Sequence, residues 1–510
     1  MENSNIISNE QSSNDKITII NGDTQITSEV SEEFSLPDYV PEVRRVLTVR
    51  AQALPESKYM SDNSLEFAGT VTYSVIYTDD MGNLCALPLS SAYEAKAQLP
   101  SDTEATSITT SVDNTSVRVV APRKLTIKAK LKSRIISFGA SDISEKIVPK
   151  SSADELYIER RLEPINTLSI KNASLQNIKI SERLDAPKDM DIKPIWCDAS
   201  ALLTDVKAQA GIVNVRGEVN VKCLCAGNGK EELLSKTFPL SEIVEAEGVT
   251  AGDMVKGEAR VVSLSISNEE SQDKNELFLD MNLEIECEVA RNSESMVTKD
   301  AYSTKYESEA SYKPLDYYTA AKENNSSFTV SESLKRKDKD LTEIIAIIGD
   351  PVYEKSEIKA NKIHHVGKLL VTILGKSIQD ETGEGEYLSQ SYEIPLKYEV
   401  EVGKIGKGAI TNCVFSVGNI NARIDEENIL VNSEVFASYS VYDKGTTQLL
   451  DICTLKKDSE IKRDSGSVRV CFPRDGEELW DVAKRYNISV KRLKEQNDIT
   501  DNETKKCLII

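Results

Sequence analysis

Few residues in this sequence have the types and spacing that chemistry requires. The two histidines, His364 and His365, are adjacent, so they cannot supply the separated imidazoles of a catalytic triad or a zinc protease. Cys223 and Cys225 place two thiols on one face of a strand, but a metal or redox site would need further ligands nearby. We therefore expect Cys223 to be a core residue and the histidines to have structural or surface roles. No catalytic residue, metal site or cofactor is predicted.

The composition narrows the class of protein further. The chain of 510 residues has 62 Lys and Arg against 83 Asp and Glu, a net charge of −21. Proteins bind nucleic acids and anionic membrane surfaces through clustered cationic side chains, so this negative net charge argues against both kinds of partner. Nine cysteines are an odd number, thinly spread, which favours reduced thiols over a disulfide framework. Neither a signal peptide nor a membrane span is apparent, so we expect a cytoplasmic protein.

The elements that would position a functional group come in three copies. A Ser-Glu pair recurs at residues 31, 181 and 331, so the spacing is 150 residues twice. An alternating strand that begins with Gly follows at 69–75, 217–223 and 367–373. A second alternating strand comes later in each copy, at 125–131, 277–283 and 429–435. Features in one order at a nearly constant period indicate three homologous units.

Each unit is expected to be a β-sandwich or a partly open barrel. Alternation of apolar and polar residues places one strand face on a core and the other in water. The segments 79–83 and 227–229 have the composition of hairpin turns, and helical periodicity is scarce through residues 30–455. The chain is therefore predicted to be mainly β, with three beads that each have their own core. Their expected ranges are 1–150, with the first 15 residues disordered, then 151–305 and 306–460.

Residues 468–510 have a different pattern. After a short strand, Leu479, Val482, Ala483 and Tyr486 form one apolar stripe of a helix. Asp475 and Glu478 have the spacing of a capping box, and Ser489 can cap a second helix. A strand at 507–510 completes a predicted βααβ module. Its nine basic and eight acidic residues give +1, which leaves −22 for the rest of the chain.

This module resembles the LysM family. Its segment DGEELWDVAKRYNISVKRLKEQN (475–497) is similar to the family pattern of a Gly-led turn, Leu-Trp, Ile-Ala, Arg-Tyr, Asn, Val-Ser, Leu and a final Asn. LysM modules bind N-acetylglucosamine-containing glycans between two loops, and the resemblance implies that these are 476–479 and 497–500. The implied binding residues are Gly476, Glu477, Glu478, Leu479, Asn497, Asp498, Ile499 and Thr500.

Two departures from the LysM pattern bear on the ligand. Glu477 and Glu478 replace an Asp-Thr pair, and Lys505 and Lys506 replace the usual Gly-Gln. A neutral sugar is better served by hydroxyl and amide partners above an apolar floor than by two carboxylates. Trp480 is either a binding aromatic or a packing residue beside the apolar stripe, and packing is favoured.

The three units resemble the SPOCS (spore coat assembly) domain. The resemblance lies in residues 36–47, in the Gly-led strand at 69 and in the segment DAYSTKY at 300–306. Three SPOCS-like copies followed by one LysM-like module resemble clostridial spore-morphogenesis proteins that attach the coat to the forespore. The resemblance implies a mother-cell protein at the forespore surface, with the LysM-like module docking a coat-scaffold ATPase.

The sequence leaves three functions open. A non-enzymatic scaffold of spore coat assembly is the leading interpretation, because the repeated features describe folding rather than chemistry. A peptidoglycan-binding protein of the wall or cortex, holding N-acetylglucosamine in the two loops, is the alternative. An enzyme acting on polysaccharide has the weakest support, since no nucleophile elbow, zinc signature or dinucleotide fingerprint is present.

Overall fold

A computed structural model describes most of the chain. The described residues are 16–148, 157–185, 192–227, 230–271, 274–359, 361–377, 385–462, 469–500 and 507–510. The predicted disordered N-terminus, the turn residues 228–229 and the pair Lys505 and Lys506 lie outside these ranges.

The chain is mainly β, as predicted, and its three units carry corresponding strands. The first unit contains β1 (Lys16–Ser35), β2 (Arg45–Ser61), β3 (Ser64–Thr78), β4 (Leu84–Gln98), β5 (Thr103–Ala121), β6 (Lys124–Asp142) and β7 (Lys146–Val148). The second contains β8 (Ile158–Asp185), β9 (Lys193–Gln209), β10 (Ile212–Gly227), β11 (Lys230–Glu245), β12 (Met254–Ser271) and β13 (Lys274–Ser303). The third contains β14 (Tyr306–Lys335), β15 (Leu341–Lys359), β16 (Lys362–Ser377), β17 (Tyr387–Glu401), β18 (Ile410–Asp425) and β19 (Asn428–Glu460).

Each unit is a sandwich of two three-stranded antiparallel layers, and one layer of the first unit joins one layer of the second through β1 and β8 in a six-stranded sheet. In the first unit β2-β3-β4 is one layer and β1-β6-β5 is the other, and the two enclose an apolar core. The second unit repeats this order with β9-β10-β11 and β8-β13-β12, and the third with β15-β16-β17 and β14-β19-β18. The Gly-led strands of the sequence are the central strands β3, β10 and β16. The later alternating segments lie in β6, β13 and β19, which are central in the second layer.

The glycine near the start of each central strand lies where a neighbouring strand approaches closely. An ideal Cβ on Gly69, Gly217 or Gly367 would lie 2.2, 2.0 or 2.4 Å from a backbone oxygen of that neighbour. In each unit the ladder between these two strands shifts register at or beside this point, as a β-bulge does. A side chain at any of these three positions would force the strands apart, so the recurrent glycine serves the fold.

The three units pack against one another, an arrangement that the sequence leaves open. Each has its own core, but further clusters combine side chains from all three units. Ile76, Leu224 and Leu374 occupy corresponding positions in β3, β10 and β16, and all three are at most 1% exposed. The cause is a short continuous apolar run at the end of each central strand, such as Val75-Ile76-Tyr77. Such a run is buried on both faces, one by its own unit and one by the other units.

An ion cluster joins the same three units. The Arg50 guanidinium on β2 pairs with the carboxylates of Asp198 on β9 and Asp350 on β15; its Nε lies 2.7 Å from Asp350 Oδ1. Burial raises the pKa of Asp350 above its usual range even though Arg50 opposes the shift. The Lys222 ammonium is nearby and donates to the Ile420 carbonyl at 3.1 Å. These groups line a cavity of about 820 Å³ enclosed by strands of all three units.

The longest strands continue past their sandwiches and carry the C-terminal module. Beyond Ala290 the ladder of β13 continues with β8, and beyond Tyr442 that of β19 continues with β14. Apolar side chains from these extensions and from β1 and β6 pack together. The module itself contains β20 (Val470–Cys471), α1 (Leu479–Arg485), α2 (Val490–Asn497) and β21 (Leu508–Ile509). The strands β20 and β21 pair antiparallel, so the predicted βααβ order is present.

Candidate partner-binding module at the C-terminus

Helix α1 is positioned by its buried stripe and by its first turn. Leu479, Val482 and Ala483 are buried in the module core, as the spacing predicts. The predicted capping box between Asp475 and Glu478 is wrong by one turn. Glu478 is itself the N-cap residue, and its backbone N–H donates to Asp481 Oδ2 at 3.1 Å. Asp475 lies in the preceding turn, where its side chain is too early in the chain to cap the helix.

Helix α2 and the closing strand are fixed by two polar side chains. Ser489 Oγ accepts from the Arg492 backbone N–H at 3.1 Å, which confirms the predicted N-cap. Asn497 donates through Nδ2 to the Ile509 carbonyl at 2.7 Å, and its Oδ1 accepts from the Ile509 N–H at 2.6 Å. The amide of Asn497 therefore ties the end of α2 to β21.

The residues predicted to bind a ligand fall into structural and surface groups. Leu479 and Ile499 are core residues, 3% and 8% exposed, and Asn497 is committed to β21. Glu477 accepts from the Arg474 N–H at 2.8 Å and pairs with Arg485 at 3.1 Å. The remaining four predicted residues lie at the module surface: Gly476, Glu478, Asp498 and Thr500. The structure therefore places part of each loop in the module core and part at the module surface.

The module is docked against the second unit, a contact that was not predicted. Asp300 at the end of β13 accepts from Trp480 Nε1 at 2.8 Å and from Lys484 Nζ at 2.7 Å. Tyr302, 1% exposed, donates its hydroxyl to the Ile488 carbonyl at 2.7 Å. Its ring meets the Trp480 ring edge-on, with 5.0 Å between centroids. Tyr302 thus contributes to the hydrophobic core of the module.

Two more contacts join the module to the second unit. Asn487 Nδ2 donates to the Ser303 carbonyl at 3.0 Å, and Arg161 on β8 pairs with Glu478 at 2.9 Å. Glu478, a predicted ligand-binding residue, is therefore engaged by the second unit. Trp480 packs, as predicted, but against a neighbouring unit as well as its own helix.

The electrostatics of the docking contact are favourable. Burial would raise the pKa of Asp300, but hydrogen bonds from Lys484, Trp480 and Tyr312 outweigh it and hold that pKa below its usual range. Burial lowers and Asp300 raises the pKa of Lys484, and the net direction is upward. Both groups are therefore charged at neutral pH, and the pair combines an ion pair with two neutral donors on one carboxylate.

The sequence contains a signal for this docking, and it lies in a segment that carries the SPOCS resemblance. Asp300 and Tyr302 belong to the DAYSTKY segment. At the 152-residue spacing of the neighbouring strands, position 300 corresponds to Val148 (300 − 152) and Ile452 (300 + 152). Only the second unit has a carboxylate there, so the polar exception among the repeats marked the docking point.

The cysteines considered above as metal or redox ligands lie within strands of the second unit. Cys197 and Cys223, both expected to be reduced thiols, have their sulfurs in direct contact across β9 and β10. The cause is their direct opposition in the ladder, which sequence spacing cannot reveal. Cys223 is fully buried, as expected, and Cys225 Sγ lies 3.7 Å from its sulfur. Within the described ranges no group of three His, Cys, Asp or Glu side chains is arranged to hold a metal ion.

His365 is buried, whereas His364 lies at the surface. The His365 Nδ1 lies 2.7 Å from Ser356 Oγ, and His364 Nδ1 lies 3.2 Å from Glu399. Burial, followed by the nearby Arg134 charge, lowers the pKa of His365 to about 4. Among the described residues no helix is long and apolar enough to span a membrane.

Comparison with known proteins supports a SPOCS-domain protein. Residues 191–268 match the family model described as SipL, SPOCS domain. These residues lie in the second unit and include its meander β9-β10-β11. No curated protein matches the chain. No solved structure matches it either.

Proposed function

We propose that this protein is a non-enzymatic scaffold of spore coat assembly. The observation that carries the proposal is the SPOCS match at 191–268, in one of three corresponding sandwiches. The resemblance to the SPOCS (spore coat assembly) domain implies the link to the spore coat. Shared apolar clusters and the Arg50 ion cluster join the three units to one another, a property that suits a scaffold.

The LysM-like module is proposed to dock a coat-scaffold ATPase at the forespore surface of the mother cell. Its small folded core, its near-neutral charge and its place at one end of an acidic body suit a specific protein contact. The predicted contact surface consists of the two loops at 476–479 and 497–500 and the exposed faces of the two helices. The first of these loops already contacts a protein surface, because its Glu478 pairs with Arg161 of the second unit at 2.9 Å.

A binding assay with purified components tests this proposal. The full chain and a chain ending at residue 467 are immobilised, and the retention of the coat-scaffold ATPase is measured on each. We expect retention by the full chain and loss of retention by the truncated chain. Equal retention on both would refute docking through the module.

Peptidoglycan binding is the second candidate, supported by the βααβ fold and by the surface position of Gly476, Asp498 and Thr500. It predicts that the full chain sediments with purified peptidoglycan at low salt and that the truncated chain does not. Absence of sedimentation would eliminate it.

A further inference from the structure

The docking contact defines the chemistry that one face of the module recognises. Helix α1 and the turn after it present an indole N–H, an ammonium and an amide, from Trp480, Lys484 and Asn487. The body supplies a carboxylate, a backbone carbonyl and an aromatic ring in an extended strand. Most donors lie on the module and most acceptors on the body. The exceptions are the Tyr302 hydroxyl, which donates to the Ile488 carbonyl, and Arg161, which pairs with Glu478.

We propose that Asp300-Ala-Tyr302-Ser303 acts as an internal ligand of the module, and that the partner's docking segment has the same chemistry. That segment is an extended peptide with a carboxylate two residues before an aromatic side chain. It binds the α1 face when the module leaves the second unit. This inference deepens the proposed function, on which it rests. It adds to the contact surface the α1 face, which the second unit covers in this structure, and it names the kind of partner segment that this face takes.

The geometry favours recognition of a segment over incidental packing. Asp300 accepts from two side chains of the module, Trp480 and Lys484, and also from Tyr312 of the third unit at 2.8 Å; its own side chain is only 16% exposed. The aromatic ring two residues later enters the module core beside Leu479 and Val482. A charged anchor and a buried aromatic anchor are the usual centres of binding energy in a protein interface.

Because the module and the body are covalently connected, the internal segment competes with any external segment for the α1 face. The module follows β19 after a short linker, which gives the internal segment an effective concentration of the order of millimolar. An external segment must exceed this, either through a larger contact or because the internal contact is weakened. Docking therefore lowers the apparent affinity of the α1 face for any matching segment.

The test uses the full chain labelled with 5-fluorotryptophan, whose two tryptophans, Trp196 and Trp480, give separate fluorine NMR signals. The probe is a synthetic peptide with the sequence VTKDAYSTKY, residues 297–306, and the control peptide has Ala in place of its Asp. Asp300→Asn in the chain weakens the internal contact. We expect the Trp480 signal to shift and the probe to bind at least about tenfold more tightly than to the unsubstituted chain.

Matched variants make the result decisive. Asp316→Asn removes another ion-paired carboxylate, whose Lys444 partner lies 2.7 Å away, and should leave the Trp480 signal and the probe affinity unchanged. If Asp300→Asn alone leaves the module docked, the double variant with Tyr302→Ala removes both anchors, and the same gain is expected there.

Equal binding of the probe by the unsubstituted and undocked chains, or no binding by the undocked chain, would overturn the proposal. Equal binding of the control peptide would also overturn it. No coat component is present in this assay, so its failure is distinguishable from failure of the proposed function, which retention of the coat-scaffold ATPase measures.

Discussion

The buried His365 predicts a specific loss of stability in mild acid. Its ring is fully buried beside Tyr398 and Tyr439, with 6.3 and 5.4 Å between ring centroids. Its Nε2 has no hydrogen-bond partner within the described part of the chain. Protonation in the folded state would place a cation in this apolar pocket, near the Arg134 guanidinium. The pKa of about 4 in the folded state compares with an ordinary value of 6.5.

The sign and size of the effect follow from this difference. Between pH 6.5 and 4 the unfolded chain binds a proton at this residue and the folded chain does not, so stability falls as the pH falls. At 1.36 kcal/mol per pH unit, His365 costs about 2.5 kcal/mol of unfolding free energy at pH 4.5 relative to pH 7.5. Well above pH 6.5, His365 contributes no pH dependence to the unfolding free energy.

Urea unfolding at pH 7.5 and pH 4.5 measures this effect. The variant His365→Gln cannot titrate but keeps a polar group near Ser356, so its loss over this range should be smaller by about 2.5 kcal/mol. His364→Gln is the matched control, since it replaces the adjacent, partly exposed imidazole and leaves His365 in place. A parallel loss in the unsubstituted and His365→Gln chains would refute the reasoning.

Three further changes probe the fold. Arg50→Met leaves two partly buried carboxylates without their cation and should lower the unfolding free energy by about 1–3 kcal/mol in urea; a change below 1 kcal/mol would contradict its role between the units. Gly217→Ala places a Cβ 2.0 Å from a backbone oxygen and should lower the melting temperature, whereas Gly252→Ala, with nothing within 4 Å, should not; equal effects would contradict the bulge argument. Leu479→Ala removes a core side chain of the module and should cost it about 2–5 kcal/mol, followed by Trp480 fluorescence; an unchanged module transition would contradict the core assignment of Leu479.

Periodicity predicted the local structure well because it reports which face of an element is buried. The Gly-led segments became the central strands β3, β10 and β16, and the stripe from Leu479 to Ala483 became α1. The resemblance located the LysM-like loops in the chain but did not indicate which of their residues are buried. Leu479 and Ile499 pack inward, because a loop defined by sequence contains both surface and core positions.

Contacts between distant parts of the chain could not be predicted. Arg50 and Asp350 are 300 residues apart, and Asp300 and Trp480 are 180 apart. No periodicity within one unit specifies which surface of another unit it meets. The apolar run ending at Tyr77 and the lone carboxylate at 300 were visible, but only as exceptions whose meaning depends on the assembled fold.

Co-purification from sporulating cells tests the central claim most directly. The full chain and a chain lacking residues 468–510 are captured under the same conditions, and their partners are identified by mass spectrometry. The proposed function predicts that the coat-scaffold ATPase accompanies the full chain and is lost with the module. Recovery of that ATPase with both chains, or with neither, would contradict it.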